Sequence, residues 1–207
     1  MDPEYTVQSS EDIYTTPEET KPSFFSRFRD GLVELIEFVA IVGAVLIVLR
    51  FFIAEPHRVS GNSMIPNFHD GDYIITNKVS LRFSIPQRGE VIILKNPRNT
   101  GQVFIKRVIA LPQDRIKIFQ GLVYINGQPV TEPYLPQELK TQGGAFLSDD
   151  EEIVVPAGQY FVMGDNRNGS SDSREWGPVK TDLIIGQAWA RYWPIPKFGI
   201  INIDKPS

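Results

Sequence analysis

Hydrophobic and polar positions divide the chain into three regimes. Residues 1–23, MDPEYTVQSSEDIYTTPEETKPS, hold few apolar side chains and read as part of a flexible N-terminal tail, set at residues 1–31. From Phe38 to Leu49 every residue is apolar or glycine, and extending back to Leu32 adds only Glu34 and Glu37 as interruptions. Arg50 then precedes Phe51-Phe52-Ile53-Ala54. As a helix, Leu32 to Ala54 is long enough for a hydrocarbon core of roughly 30 Å. A cleaved signal peptide does not fit, because the polar lead is long and no A-x-A site follows. A buried core helix is the competing reading, since the strictly apolar stretch is short; a membrane anchor at residues 32–54 is preferred.

Beyond Pro56 the pattern changes to short runs rich in β-branched residues, punctuated by Gly, Pro, Asn and Asp. Residues 72–76, 90–94, 102–111, 115–119, 122–127, 152–155, 159–163 and 183–195 read as strands. Asn126-Gly127 marks a hairpin. No sustained 3.6-residue period occurs after residue 56, so this part is mainly β.

Composition narrows the chemistry. Formal net charge is −4, which argues against a nucleic-acid partner. The 207 residues include no cysteine, which removes disulfides, thiolate catalysis and cysteine-based zinc sites. Only His57 and His69 are present, without metal-site spacing, so neither metal nor cofactor is expected.

Three segments carry candidate chemistry. In V-S-G-N-S-M-I-P (59–66), Ser63 is either a turn hydroxyl or a nucleophile beside free backbone N–H groups. A base is then needed, and His57 and His69 have no evident orienting partner. Lys106 interrupts the apolar strand V-F-I-K-R-V-I-A-L together with Arg107. By period-2 alternation one of these cations faces a packed side. A buried lysine loses its charge more readily and becomes a competent base; an edge lysine that deters aggregation is the plainer alternative. The third segment, G-D-N-R-N-G-S-S-D-S-R (164–174), is either a hydrated loop or a hydrogen-bonded brace in which Asp172 and Arg174 pair.

In this order, the anchor, E-P-H-R-V-S-G-N-S-M-I-P, G-D-Y-I-I-T-N-K, R-G-E-V-I-I-L, F-I-K-R-V-I-A-L-P-Q-D and G-D-N-R-N-G-S-S-D-S-R resemble the bacterial type I signal peptidases. The resemblance implies a single transmembrane helix followed by a β-rich catalytic domain (55–114 and 159–207) with a small β insert (115–158). It implies a membrane-bound serine endopeptidase that removes signal peptides from exported preproteins after A-x-A. Ser63 matches the nucleophile, Lys106 the general base, and Ser170 a serine that hydrogen-bonds the lysine. Asp172 and Arg174 match a bracing ion pair, and Asp165 and Arg167 match structural residues. Gly61 stands where some members place a second oxyanion donor. Ala110 and Gln113 depart from the family's usual G-L-P-G-D, which implies altered turn packing without loss of activity.

A substrate strand is expected along residues 57–61 and 104–106, with Val59, Met64 and Ile105 lining pockets for small side chains. Phe51-Phe52 and Met64-Ile65-Pro66 are candidates for dipping into the lipid interface. Lys21, Arg27 and Arg29 against Arg50 and Arg58 lean toward a cytoplasmic N-terminus, with the β part on the outer side. The partners expected are signal peptides and the bilayer. Two rivals are a self-cleaving Ser-Lys repressor-type protease and a tethered β-rich binding module without catalysis.

Overall fold

A computed structural model describes residues 24–48, 54–79 and 83–202. The expectations for residues 1–23 and for Phe51-Phe52 lie outside these residues. The chain divides into two units, Met1–Val45 and Leu46–Ser207.

Helix α1 runs from Phe24 to Val48. It starts within the stretch assigned to the tail, because Phe25, Phe28 and Leu32 already repeat at helical spacing. Gly31–Val48 has a mean hydropathy of 2.5 and is apolar enough to cross a membrane. Its large apolar side chains are exposed, unlike those of a core helix. Ala54, expected at the end of the anchor, is the first residue of a strand.

The second unit is β-rich. Its main sheet orders β1 (Ala54–Arg58), β2 (Tyr73–Asn77), β11 (Ile184–Trp193), β3 (Val91–Asn96), β4 (Asn99–Ala110), β9 (Gln159–Met163) and β10 (Val179–Lys180), with β12 (Gly199–Ile200) paired to β11. A smaller sheet orders β7 (Gln128–Pro129), β6 (Leu122–Ile125), β5 (Arg115–Phe119) and β8 (Glu152–Val154). All the expected strands form, with ends moved by three residues or fewer. The pieces that pattern reading missed, β1, β7, β10 and β12, are too short or too polar to show alternation.

The main sheet is covered on both faces. In β3, Val91 and Ile93 pack with Val59, Met64, Phe68, Ile74 and Ile105, while Ile92 and Leu94 pack with Val108, Tyr160 and Val162. A third cluster joins Ile109, Phe161 and Met163 to Ile116, Ile118, Val123 and Ile125 of the small sheet. The small sheet therefore shares its core with β4 and β9.

β4 is paired unequally along its length. β3 pairs with it from Asn99 to Arg107, whereas β9 pairs only from Arg107 onward. β1 ends the sheet on the other side. The edge of β4 around Val103–Ile105 and the residues that follow β1 face a common cleft.

Candidate active site

Ser63 lies in the turn that links β1 to β2. Two backbone bonds close the neck of this loop, from Val59 N–H to Asp72 O at 2.8 Å and from Gly71 N–H to Val59 O at 3.0 Å. Gly61 has φ of +88°, a conformation that favours glycine, and its N–H is taken by Asp70 Oδ1 at 2.9 Å. Met64 and Phe68 anchor the turn in the core, which leaves Ser63 half-buried at its surface.

From the other side Asn166 holds the turn. Its N–H donates to Ser63 O at 3.0 Å, and its side-chain Nδ2 donates to Asn62 O at 3.1 Å. Gly164 is wedged beside it: a Cβ there would lie 2.3 Å from Ser63 O and 2.2 Å from Ser170 Oγ. Among the described residues the Ser63 N–H has no internal acceptor.

Lys106 projects from β4, only 3% exposed. Its Nζ donates to Ser63 Oγ at 2.8 Å and to Ile105 O at 3.0 Å, and lies 5.1 Å from the centre of the Phe104 ring. No carboxylate forms an ion pair with it among the described residues. Burial lowers its pKa from 10.5 to about 8; Asp172 and Asp165 oppose that fall and Arg174 adds to it.

Alternation predicts that one of Lys106 and Arg107 is buried, yet both are, with Arg107 at 2%. Covering β4 on both faces leaves neither cation an outward route. Arg107 is satisfied by a bidentate pair with Asp165, Nε–Oδ1 at 2.8 Å and Nη2–Oδ2 at 2.7 Å, and by Gly89 O at 2.9 Å. Asp165 also accepts from Asn67 Nδ2 at 2.8 Å.

The 164–174 segment is a hydrogen-bonded brace. Asp172 accepts from Arg174 Nε at 2.9 Å and Nη2 at 2.8 Å, and from Gly164 N–H at 3.0 Å. Asp165 and Arg167 take separate partners, Arg107 for the first and Glu132 for the second. Ser170 departs from expectation. Its Oγ is enclosed beside Gly164 and has no hydrogen-bond partner among the described residues, so it does not bind Lys106 here.

A cleft of about 80 Å³ adjoins Ser63 and Lys106, walled by His57, Val59, Ile74, Ile93, Val103 and Ile105. Of the three residues expected to line substrate pockets, Val59 and Ile105 border this cleft. Met64 does not: at 1% exposure it belongs to the core, so it neither lines the cleft nor reaches a lipid interface. His57 lines the cleft but serves no serine; its Nε2 is 3.8 Å from Glu55 Oε1, and burial lowers its pKa against the pull of Glu55. His69 meets Lys197 Nζ at 3.1 Å.

Residues 32–193 match the family model described as signal peptidase, peptidase S26. The chain belongs to this signal peptidase family. As a member of it the chain is a serine endopeptidase, a hydrolase. It is 42% identical over 168 residues to the probable signal peptidase I-1 of Synechocystis sp., covering 78% of this chain and 81% of that protein. It is 36% identical over 176 residues to signal peptidase I of Leptolyngbya laminosa, covering 81% and 83% respectively. Signal peptidase IB of Staphylococcus aureus is 31% identical over 181 residues, covering 82% and 94%.

Pattern reading overlooked several residues that contact these segments of the S26 family member. Asn67, Asn166, Glu132 and Tyr134 act only through tertiary contacts; Asn166 alone carried a signal, inside the quoted G-D-N-R stretch.

Proposed function

We propose that this chain is a membrane-anchored signal peptidase I that cleaves exported preproteins after A-x-A through a Ser63–Lys106 dyad. The observation that carries this reading is the 2.8 Å contact between Ser63 Oγ and a buried Lys106 Nζ that pairs with no carboxylate among the described residues. Neutral Nζ accepts the Oγ proton as Oγ attacks the scissile carbonyl. The oxyanion forms beside the Ser63 N–H. Gly61 offers no hydroxyl for that oxyanion, and its N–H is already held by Asp70. Protonated Lys106 then gives its proton to the leaving amine, and the neutral lysine activates water to release the acyl group.

Residues preceding the cut add as an extended strand between 57–61 and the open edge of β4 at 104–106. The small cleft, where Val59, Ile74, Ile93, Val103 and Ile105 stand beside the polar Arg58 and Ser60, accommodates alanine-sized side chains and excludes larger ones. Residues 55–114 and 159–207 form the catalytic domain, with 115–158 inserted. The N-terminus is cytoplasmic and the catalytic unit lies on the outer side, with α1 in the bilayer. A tethered binding module would leave Lys106 on a solvated edge, which its burial disfavours.

The test is incubation of the detergent-solubilised full chain with a preprotein whose signal ends in A-x-A, with mapping of the new N-terminus. A cut immediately after A-x-A is expected. An intact preprotein, or a cut elsewhere, contradicts the reading.

A further inference from the structure

The small sheet unit (115–158) touches each of the three segments that build the Ser63–Lys106 site. Its contacts come from the connection between β7 and β8. The Tyr134 carbonyl accepts from Asn67 Nδ2 at 2.9 Å, four residues past Ser63. The Tyr134 ring centre lies 3.8 Å from Arg107 Cζ, directly after Lys106 in β4. Glu132 receives both terminal nitrogens of Arg167, with Nη1–Oε2 at 2.9 Å, and Thr141 Oγ1 accepts from the same Nη1 at 2.6 Å.

The two insert residues are themselves joined, since Tyr134 Oη donates to Glu132 Oε1 at 2.6 Å. Burial and the Glu132 charge both disfavour the phenolate, so that hydroxyl stays a donor at any working pH. From Arg167 the chain of contacts returns to the nucleophile. Arg167 Nε donates to Gly164 O at 3.1 Å, and Arg167 O accepts from Arg174 Nη2 at 2.8 Å. Gly164 is the residue wedged against Ser63 O, and Arg174 is paired with Asp172, whose charge acts on Lys106.

We propose that Glu132 and Tyr134 are positioning residues of the peptidase reaction, fixing Arg167 and Arg107 so that Lys106 Nζ and Ser63 Oγ stay in line. The proposal rests on the Ser63–Lys106 reading above. A fully satisfied buried polar network favours a single arrangement, and a misplacement of about 1 Å at reacting atoms costs up to roughly 10²-fold in rate. A residue needed only for folding would instead lower stability and leave the turnover of folded molecules unchanged.

The experiment uses the full chain in detergent, with kcat and KM measured on an A-x-A preprotein and folding checked by thermal unfolding. Glu132→Gln keeps the volume and removes the charge; it is expected to lower kcat about tenfold with KM unchanged. Tyr134→Phe keeps the ring and frees Glu132 of its donor; a smaller fall in kcat of about threefold is expected. In an Arg167→Gln background, Glu132→Gln adds nothing further, because it acts through Arg167. Variants that unfold earlier yet keep kcat overturn the proposal, as do losses from Glu132→Gln and Arg167→Gln that multiply. If Glu132→Gln does not fold, Tyr134→Phe decides, and an unchanged kcat there overturns the proposal. Lys106→Ala is assayed alongside; cleavage surviving in it overturns the dyad reading itself, a result separate from these.

Discussion

Lys106 Nζ sits 2.8 Å from Ser63 Oγ, although the two residues are 43 positions apart. The contact joins a strand and a turn that are held independently. β3 and β9 fix β4, while Met64, Phe68 and Asn166 fix the turn. Neither side chain can move far without disturbing packed neighbours.

Because burial holds Lys106 at about 8, its neutral form, the base in the proposed mechanism, becomes dominant only above that pH. kcat/KM on an A-x-A peptide is therefore expected to rise about tenfold per pH unit below 7 and to level off above 9. A profile flat from mildly acidic to alkaline pH contradicts this. The same shift makes folding stability rise between about 8 and 10.5, where the unfolded chain still binds a proton that folded Lys106 has released.

Ile105 lines the cleft, whereas Met64 lies in the core beneath the turn. Ile105→Ala enlarges the cleft and is expected to raise cleavage of substrates with valine or leucine at the small positions. Met64→Ala is expected to leave specificity unchanged and to cost about 2–5 kcal/mol of stability, because Met64 is buried beneath the turn. A peptide panel and thermal unfolding measure the two effects, and a specificity change in Met64→Ala would place it in the cleft after all.

Arg107 and Asp165 form a fully buried pair. Removing either partner, as in Arg107→Met or Asp165→Leu, leaves a buried charge without its counter-ion and is expected to cost about 3–5 kcal/mol. The double variant should lose much less than the two single losses together. Denaturant midpoints for the three variants test this, and simple additivity would count against it.

Gln113 has φ of +72°, in the region that favours glycine, and its side chain is exposed. Gln113→Gly is expected to stabilise the turn by about 0.5–1 kcal/mol with activity unchanged. A lower unfolding temperature for this variant would show that the glutamine side chain compensates for its backbone.

How far the sequence was legible follows from the range of each interaction. Lys106 stood out because a cation in an apolar strand breaks a local pattern, and Ser63 because its turn residues are contiguous. Arg107 misled alternation, which assumes one wet face, whereas the small sheet and the loop after β9 cover the second face of β4. Met64 looked like a pocket wall from its neighbour Ser63, but the turn needs an inward anchor. Ser170 looked like a lysine partner, and its hydroxyl instead packs beside Gly164. Glu132 meets Arg167 across 35 residues of chain, a distance at which spacing carries no signal.

The most direct test of the dyad is preprotein cleavage by Ser63→Ala and Lys106→Ala, each shown to be folded by its thermal transition. Loss of cleavage in both, with folding retained, is the predicted result. Efficient processing by folded Lys106→Ala would contradict the assignment of Lys106 as the base for Ser63.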